Sequence, residues 1–159
     1  MYCQLNISNQ TVDAIPSYLT LNSWVNTVLH STIMPVDIRQ FSRVIIELSA
    51  INLTEMQELN YQYRGLLKPT NILSFNIDSH ISSNTYLLGS LAVCTRVMRI
   101  QATKANKSLL AHWAHIIVHG CLHLLGFDHQ IAQEELIMIA QEKRILSKLG
   151  YNYLLPYTN

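Results

Sequence analysis

The sequence predicts an α+β domain, a small mixed four-stranded sheet packed with about five helices. Three observations lead to this fold class. Strand-like segments rich in branched residues all fall before residue 96, and from Arg96 onward the pattern is helical. Apolar residues make up 49% of the chain and charged residues 13%, a balance that argues against disorder. The 159 residues suit one domain, 1–159, able to bury its own core, and no repeat, low-complexity tract or Pro/Gly/Ser linker divides them.

Each element has its own signal. Tyr2–Ile7 reads as a short opening strand. Tyr18, Leu21, Val25, Val28 and Leu29 recur at helical spacing and predict a helix over 17–30. FSRVIIELSA (41–50) is rich in branched residues and reads as a strand. Asn52 or Thr54 then caps a helix through LTEMQELNYQYR, since a short polar side chain can accept a free N–H of the first turn. Gly65 to Pro69 is a turn. TNILSFN (70–76) and YLLGSLAVCT (86–95) read as two strands of a long hairpin, joined by the polar loop IDSHISSN. Helices follow over about 96–105, 108–125 and 131–149, the last stopped by Gly150. The tail, YNYLLPYTN, carries no motif.

Bulk chemistry narrows the setting. A formal net charge of +1 neither marks a nucleic-acid binder nor excludes one, because local distribution matters more than the sum. Cys3, Cys94 and Cys121 are odd in number, far apart and form no CxxC, so a reducing cytoplasm is expected rather than a disulfide framework. The N-terminus has neither the basic nor the apolar region of a secretory signal. Residues 108–127 contain no Asp, Glu, Lys or Arg, yet four histidines and two glycines interrupt them. Polar groups along one helical face suit a buried site helix better than a membrane span.

The chemistry lies in HGCLHLLGFDH, from His119 through His123 to His129. Residues four apart share a helical face, so His119 and His123 can reach one ion. A third ligand at i+8 on the same helix would lie about 12 Å from the first along the axis, too far to share it. Gly126 supplies the turn back, as a C-cap with positive φ, and His129 completes the set. Three neutral imidazoles leave a fourth position for water, the open arrangement of catalytic zinc, which brings the pKa of bound water to around 7. One zinc ion used for hydrolysis is the expectation, in a single zincin-like site. Asp128 or the backbone is the expected partner fixing an imidazole tautomer. His112 and His115 belong to the helix flank or pocket wall, and Cys121 to core packing.

The spacing HxxxHxxGxxH is shared with metzincin proteases, whose HExxHxxGxxH places a glutamate base after the first histidine. Here that position is Gly120, which has no side chain to act as a base. Phosphodiester cleavage instead needs the metal together with cations that stabilise charge on phosphate oxygens. No acid stands between Asp78 and Asp128, whereas Arg96, Arg99, Lys104 and Lys107 do, and Arg64 and Lys68 flank the preceding turn. That distribution favours an anionic substrate.

These residues resemble the YbeY family of bacterial metal-dependent endoribonucleases. The family signature HGxLHLxGxDH is matched at every specified position by HGCLHLLGFDH. LNYQYRGLLKPTNILSFN resembles its LN…YRG…PT(D/N)VLSF block, LLGSLAVC its LGDI strand, and AHWAHIIVHG the helix leading into the ligands. Glu134, Met138, Glu142, Ile145, Leu146 and Leu149-Gly150 fit its closing helix. The likeness covers nearly the whole chain from about residue 40.

The resemblance implies zinc on His119, His123 and His129, and single-strand-specific cleavage in maturation of the 3′ end of 16S ribosomal RNA and in ribosome quality control. The candidate catalytic residues are Arg64 and His119, and the candidate substrate contacts Arg64, Lys68, Arg96 and Arg99. Single-stranded ribosomal RNA is the expected partner, with small-subunit ribosomal proteins and assembly GTPases beside it and no membrane. Three positions depart from the family pattern: Ser90 and Gln101 replace acids, and Asn76 replaces a proline. Those lost acids motivate an alternative, a non-catalytic zinc-binding ribosome-assembly factor. The metzincin spacing motivates a weaker one, a zinc peptidase.

Overall fold

In the computed structural model residues 1–152 are described, so residues 153–159 of the expected domain and its tail lie outside the described residues. The chain runs β1 (Tyr2–Asn9), α1 (Tyr18–Ser31), β2 (Arg43–Ile51) and α2 (Leu53–Arg64). It continues with β3 (Ile72–Ser82), β4 (Thr85–Cys94), α3 (Thr95–Lys104), α4 (Leu109–Leu124) and α5 (Ala132–Lys148). Among the described residues this is the expected α+β architecture of four strands and five helices. The sheet order is β1-β2-β4-β3; β1, β2 and β4 are parallel, and β3 runs antiparallel to β4 along an edge.

Local chemistry starts the helices. Ser17, Asn52 and Ser108 sit at N-caps in extended conformation, and each side chain accepts a backbone N–H of the first turn, from Thr20, Glu55 and Ala111. Asn52, not Thr54, therefore caps α2. Strand alternation then sorts the apolar residues. Val44, Ile46 and Leu48 of β2 face the main core with Leu88, Leu91 and Val93 of β4. Against them pack Leu21, Val25 and Val28 of α1, much of α4, and Met138, Ile145 and Leu146 of α5. On the opposite face a smaller cluster joins Met56 of α2 to Ile51, Leu73, Ala92 and Cys94.

Eleven of the sixteen residues of α4 are buried, which is why its sequence is apolar almost all round. No helix among the described residues is long and apolar enough to cross a membrane.

The hairpin differs from its sequence pattern. Residues 77–82, expected as loop, continue β3, and the connection is the two-residue turn Ser83-Asn84. This half of the strand is mostly exposed on both sides, so it lacks the apolar alternation that marks a half-buried strand. Its pairing with Tyr86 and Leu87 of β4 holds it instead, through register shifts at Asn76/Ser79 and His80/Ser82.

Candidate metal centre

The last turns of α4 carry His119 and His123 on one face. The helix stops at Leu124, and Gly126 takes φ +91°, a region that side chains with a Cβ rarely adopt. The N–H of Gly126 then donates to the carbonyl of His123, and that of Phe127 to the carbonyl of Leu122, a Schellman closure that turns the chain back. His129 returns to the two helical histidines. One nitrogen from each of the three rings lies within 4.8 Å of the others, and Nε2 of His119 and Nε2 of His123 are 3.1 Å apart.

The donor set fits a zinc ion. Metal–nitrogen bonds of 2.0–2.1 Å in a tetrahedron place donor atoms about 3.3 Å apart, close to the spacing of the helical pair. His119 and His123 are half-buried and His129 is exposed. Burial, then the neighbouring His119 and His129, bring the pKa of His123 down to about 4, leaving a neutral imidazole with a free lone pair. No further His, Cys, Asp or Glu belongs to the group among the described residues.

His119 is oriented from α5. Its Nδ1 donates to Glu142 Oε1 at 2.5 Å, which leaves Nε2 as the lone-pair atom facing the other histidines. Glu142 is 2% exposed, and its second oxygen accepts from Nε2 of His115 at 3.2 Å. Burial alone would raise this carboxyl, but the hydrogen bonds and charges of His115 and His119 outweigh it and hold the pKa at about 2. Nζ of Lys107 donates in turn to Nδ1 of His115 at 3.4 Å. Asp128, the expected tautomer partner, accepts the backbone N–H of its neighbour His129 instead. The signal for Glu142 was an acid on the buried stripe of a helix, between Met138 and Ile145.

The three histidines line a cavity of about 570 Å³ together with Arg64, Asn71, Ser74, Asn76 and Phe127. Of the four predicted substrate contacts, Arg64 alone lines it. Lys68 and Arg96 are exposed elsewhere, and Arg99 pairs with Asp13 at 3.4 Å. His112 and His115 are buried away from the cavity lining. Cys121 is 1% exposed in the core, as expected.

The three departures have structural accounts. Asn76 Nδ2 donates to the carbonyl of Leu124 at 2.8 Å, closing an end-of-helix acceptor that a proline could not reach. Gln101 Oε1 accepts from His112 Nε2 at 2.9 Å and Asn71 Nδ2 at 3.1 Å, linking α3, α4 and the approach to β3. Burial, then the nearby Lys107 and His115, depress His112 to about 3, and a neutral amide is a suitable acceptor for a neutral ring. Ser90 lines a separate cavity rather than the metal cavity.

Gly120 lies where α4 meets the sheet. A Cβ there would stand 2.5 Å from Ile72 Cδ1 and 3.1 Å from Leu91 Cδ2, so a glutamate would point into packed side chains.

A family model described as Endoribonuclease YbeY matches residues 6–150. A relative named Endoribonuclease YbeY, from Buchnera aphidicola subsp. Acyrthosiphon pisum (strain APS), is 39% identical over 150 residues, covering 94% of this chain and 88% of its own. The solution structure of TM1509 from Thermotoga maritima superposes with a TM-score of 0.52, covering 92% of each chain at 19% identity, a likeness of fold alone.

Proposed function

The chain belongs to the endoribonuclease YbeY family, and on that premise we propose that it is a zinc-dependent endoribonuclease acting on single-stranded RNA in maturation of the 3′ end of small-subunit ribosomal RNA and in ribosome quality control. One observation carries the reading: the three histidines able to hold a metal line the same cavity as Arg64. In this reading residues 1–159 act as one cytoplasmic domain, with small-subunit ribosomal proteins and assembly GTPases as further partners.

His119, His123 and His129 would hold the zinc ion, which when bound would supply Lewis acidity at neutral pH. The protein's own groups do the rest. Arg64, fixed at the end of α2 just before the Gly65 cap, offers a planar fork to phosphate oxygens and offsets the charge that grows on them. Glu142 keeps the proton of His119 on Nδ1, so that the ligating nitrogen stays unprotonated. Asn71, Ser74 and Asn76 give the cavity a polar wall along the β3 edge.

The peptidase alternative is disfavoured at Gly120, which carries no side chain to act as the protease's base and whose Cβ position is crowded by Ile72 and Leu91. Ser90 and Gln101 motivated the non-catalytic alternative, and neither lines the metal cavity. Incubating the zinc-loaded chain and its His119→Ala variant with single-stranded RNA tests the proposal. Cleavage is expected from the first and a loss of at least about a hundredfold in the second. Equal cleavage by both, or none by either, would overturn it.

A further inference from the structure

Across the β3 edge from the metal cavity lies a second one, of about 720 Å³, on the α2 side of the sheet. Ser74 and Asn76 line both, so the two cavities share a wall. Consecutive residues of α2 divide between them. Arg64 lines the metal cavity, and Tyr63 lines the second. The Tyr63 ring leans on Phe75 at a centroid distance of 4.4 Å and a tilt of 53°, yet Tyr63 is 64% exposed. Among the described residues no Asp, Glu, Lys or Arg lines this second cavity; its walls are aromatic, aliphatic and neutral polar groups such as Gln10, Ser49 and Ser90.

A cation beside the metal site and an aromatic, uncharged surface next to it match the two ends of a nucleotide. We propose that the second cavity is a nucleobase subsite, in which a base of single-stranded RNA stacks on Tyr63 while an adjacent phosphate meets Arg64. The proposal rests on the reading of the chain as an endoribonuclease. Every base has a π-face, so such a subsite accepts any sequence. A duplex keeps its bases stacked within the helix and offers no free face, so the subsite also selects for single strands.

The test is fluorescence anisotropy of the zinc-loaded chain with a nuclease-resistant single-stranded RNA, 2′-O-methylated and phosphorothioate-linked. Tyr63→Ala and Tyr63→Leu are expected to weaken binding roughly tenfold, whereas Tyr63→Phe stays within about twofold. The leucine variant keeps an apolar contact with Phe75 but no π-face, which separates stacking from packing. Moving one abasic ribose along the RNA should find a position that weakens wild-type binding but adds nothing to Tyr63→Ala. Unchanged binding by the alanine and leucine variants, or an abasic penalty that persists in them, overturns the subsite. Loss of self-association in Tyr63→Ala by sedimentation, with RNA binding intact, would assign the cavity to a second copy of this chain and also overturn it. If the wild-type chain binds no RNA, the endoribonuclease reading itself falls, and the subsite with it.

Discussion

Glu142 shows how one carboxylate can serve two histidines. It is almost fully buried and accepts from His115 and His119. Glu142→Gln keeps the shape but offers one acceptor oxygen and an NH2, so one imidazole N–H faces a donor. Zinc affinity, measured by chelator competition, is expected to fall about 10–100-fold. The metal-free variant should lose on the order of 1–3 kcal/mol in urea unfolding, the cost of a buried donor left without its acceptor. Unchanged zinc affinity would remove the orienting role given to this residue. His119→Ala acts at the same scale but removes one of the three proposed ligands outright, so its effect on RNA cleavage should exceed that of Glu142→Gln.

At the scale of the element, α4 does three jobs at once: it fills the core, carries two of the three clustered histidines, and ends so that the third can return. Its termination depends on Gly126, whose φ of +91° suits no side chain although a Cβ there would meet nothing within 4 Å. The cost of Gly126→Ala is therefore conformational rather than steric. A loss of about 1 kcal/mol is expected in denaturant unfolding, with weaker zinc binding because His129 no longer returns at the same angle. Gly120 is the opposite case. Its backbone is ordinary helix, but α4 presses on Ile72 and Leu91 there, so substitution is resisted by contact.

For the whole molecule, buried titratable groups set the response to acid. His112 lies at about 3 in the fold against an ordinary 6.5, through burial and then Lys107 and His115. The unfolded chain therefore takes up a proton that the fold refuses, and stability is kept above pH 6.5 and lost as pH falls from there toward 3. His123, at about 4, adds to this in the metal-free chain. Glu142, at about 2 against 4.5, has the depressed carboxylate's pattern: its stability is present above pH 4.5 and lost below. All three slopes have the same sign. The metal-free chain should lose a few kcal/mol between about pH 6.5 and 4 in unfolding titrations, and His112→Gln should flatten that slope. A flat profile for the wild-type chain would contradict the assignment.

Much of the site was legible because it is local. His119 and His123 share a face through helical periodicity, and a glycine stops the helix because it lacks a Cβ; both follow from short-range geometry that a sequence states directly. Family membership was legible in the same histidine segment. The neighbours of that segment were not. Glu142 reaches His119 across 23 residues, and Asn76 reaches Leu124 across 48. Arg64, Lys68, Arg96 and Arg99 look equivalent in a string of letters, yet only Arg64 comes to line the cavity and Arg99 is taken by Asp13. The exposed half of β3 gave no alternating signal, since only its pairing with β4 makes it a strand. The sequence by itself determined the three-histidine group and the turn that gathers it, through covalent geometry over a few residues. The tertiary structure decided which charged side chain shares the histidines' cavity and which walls surround them, because burial and long-range contact exist only once the sheet and helices have packed.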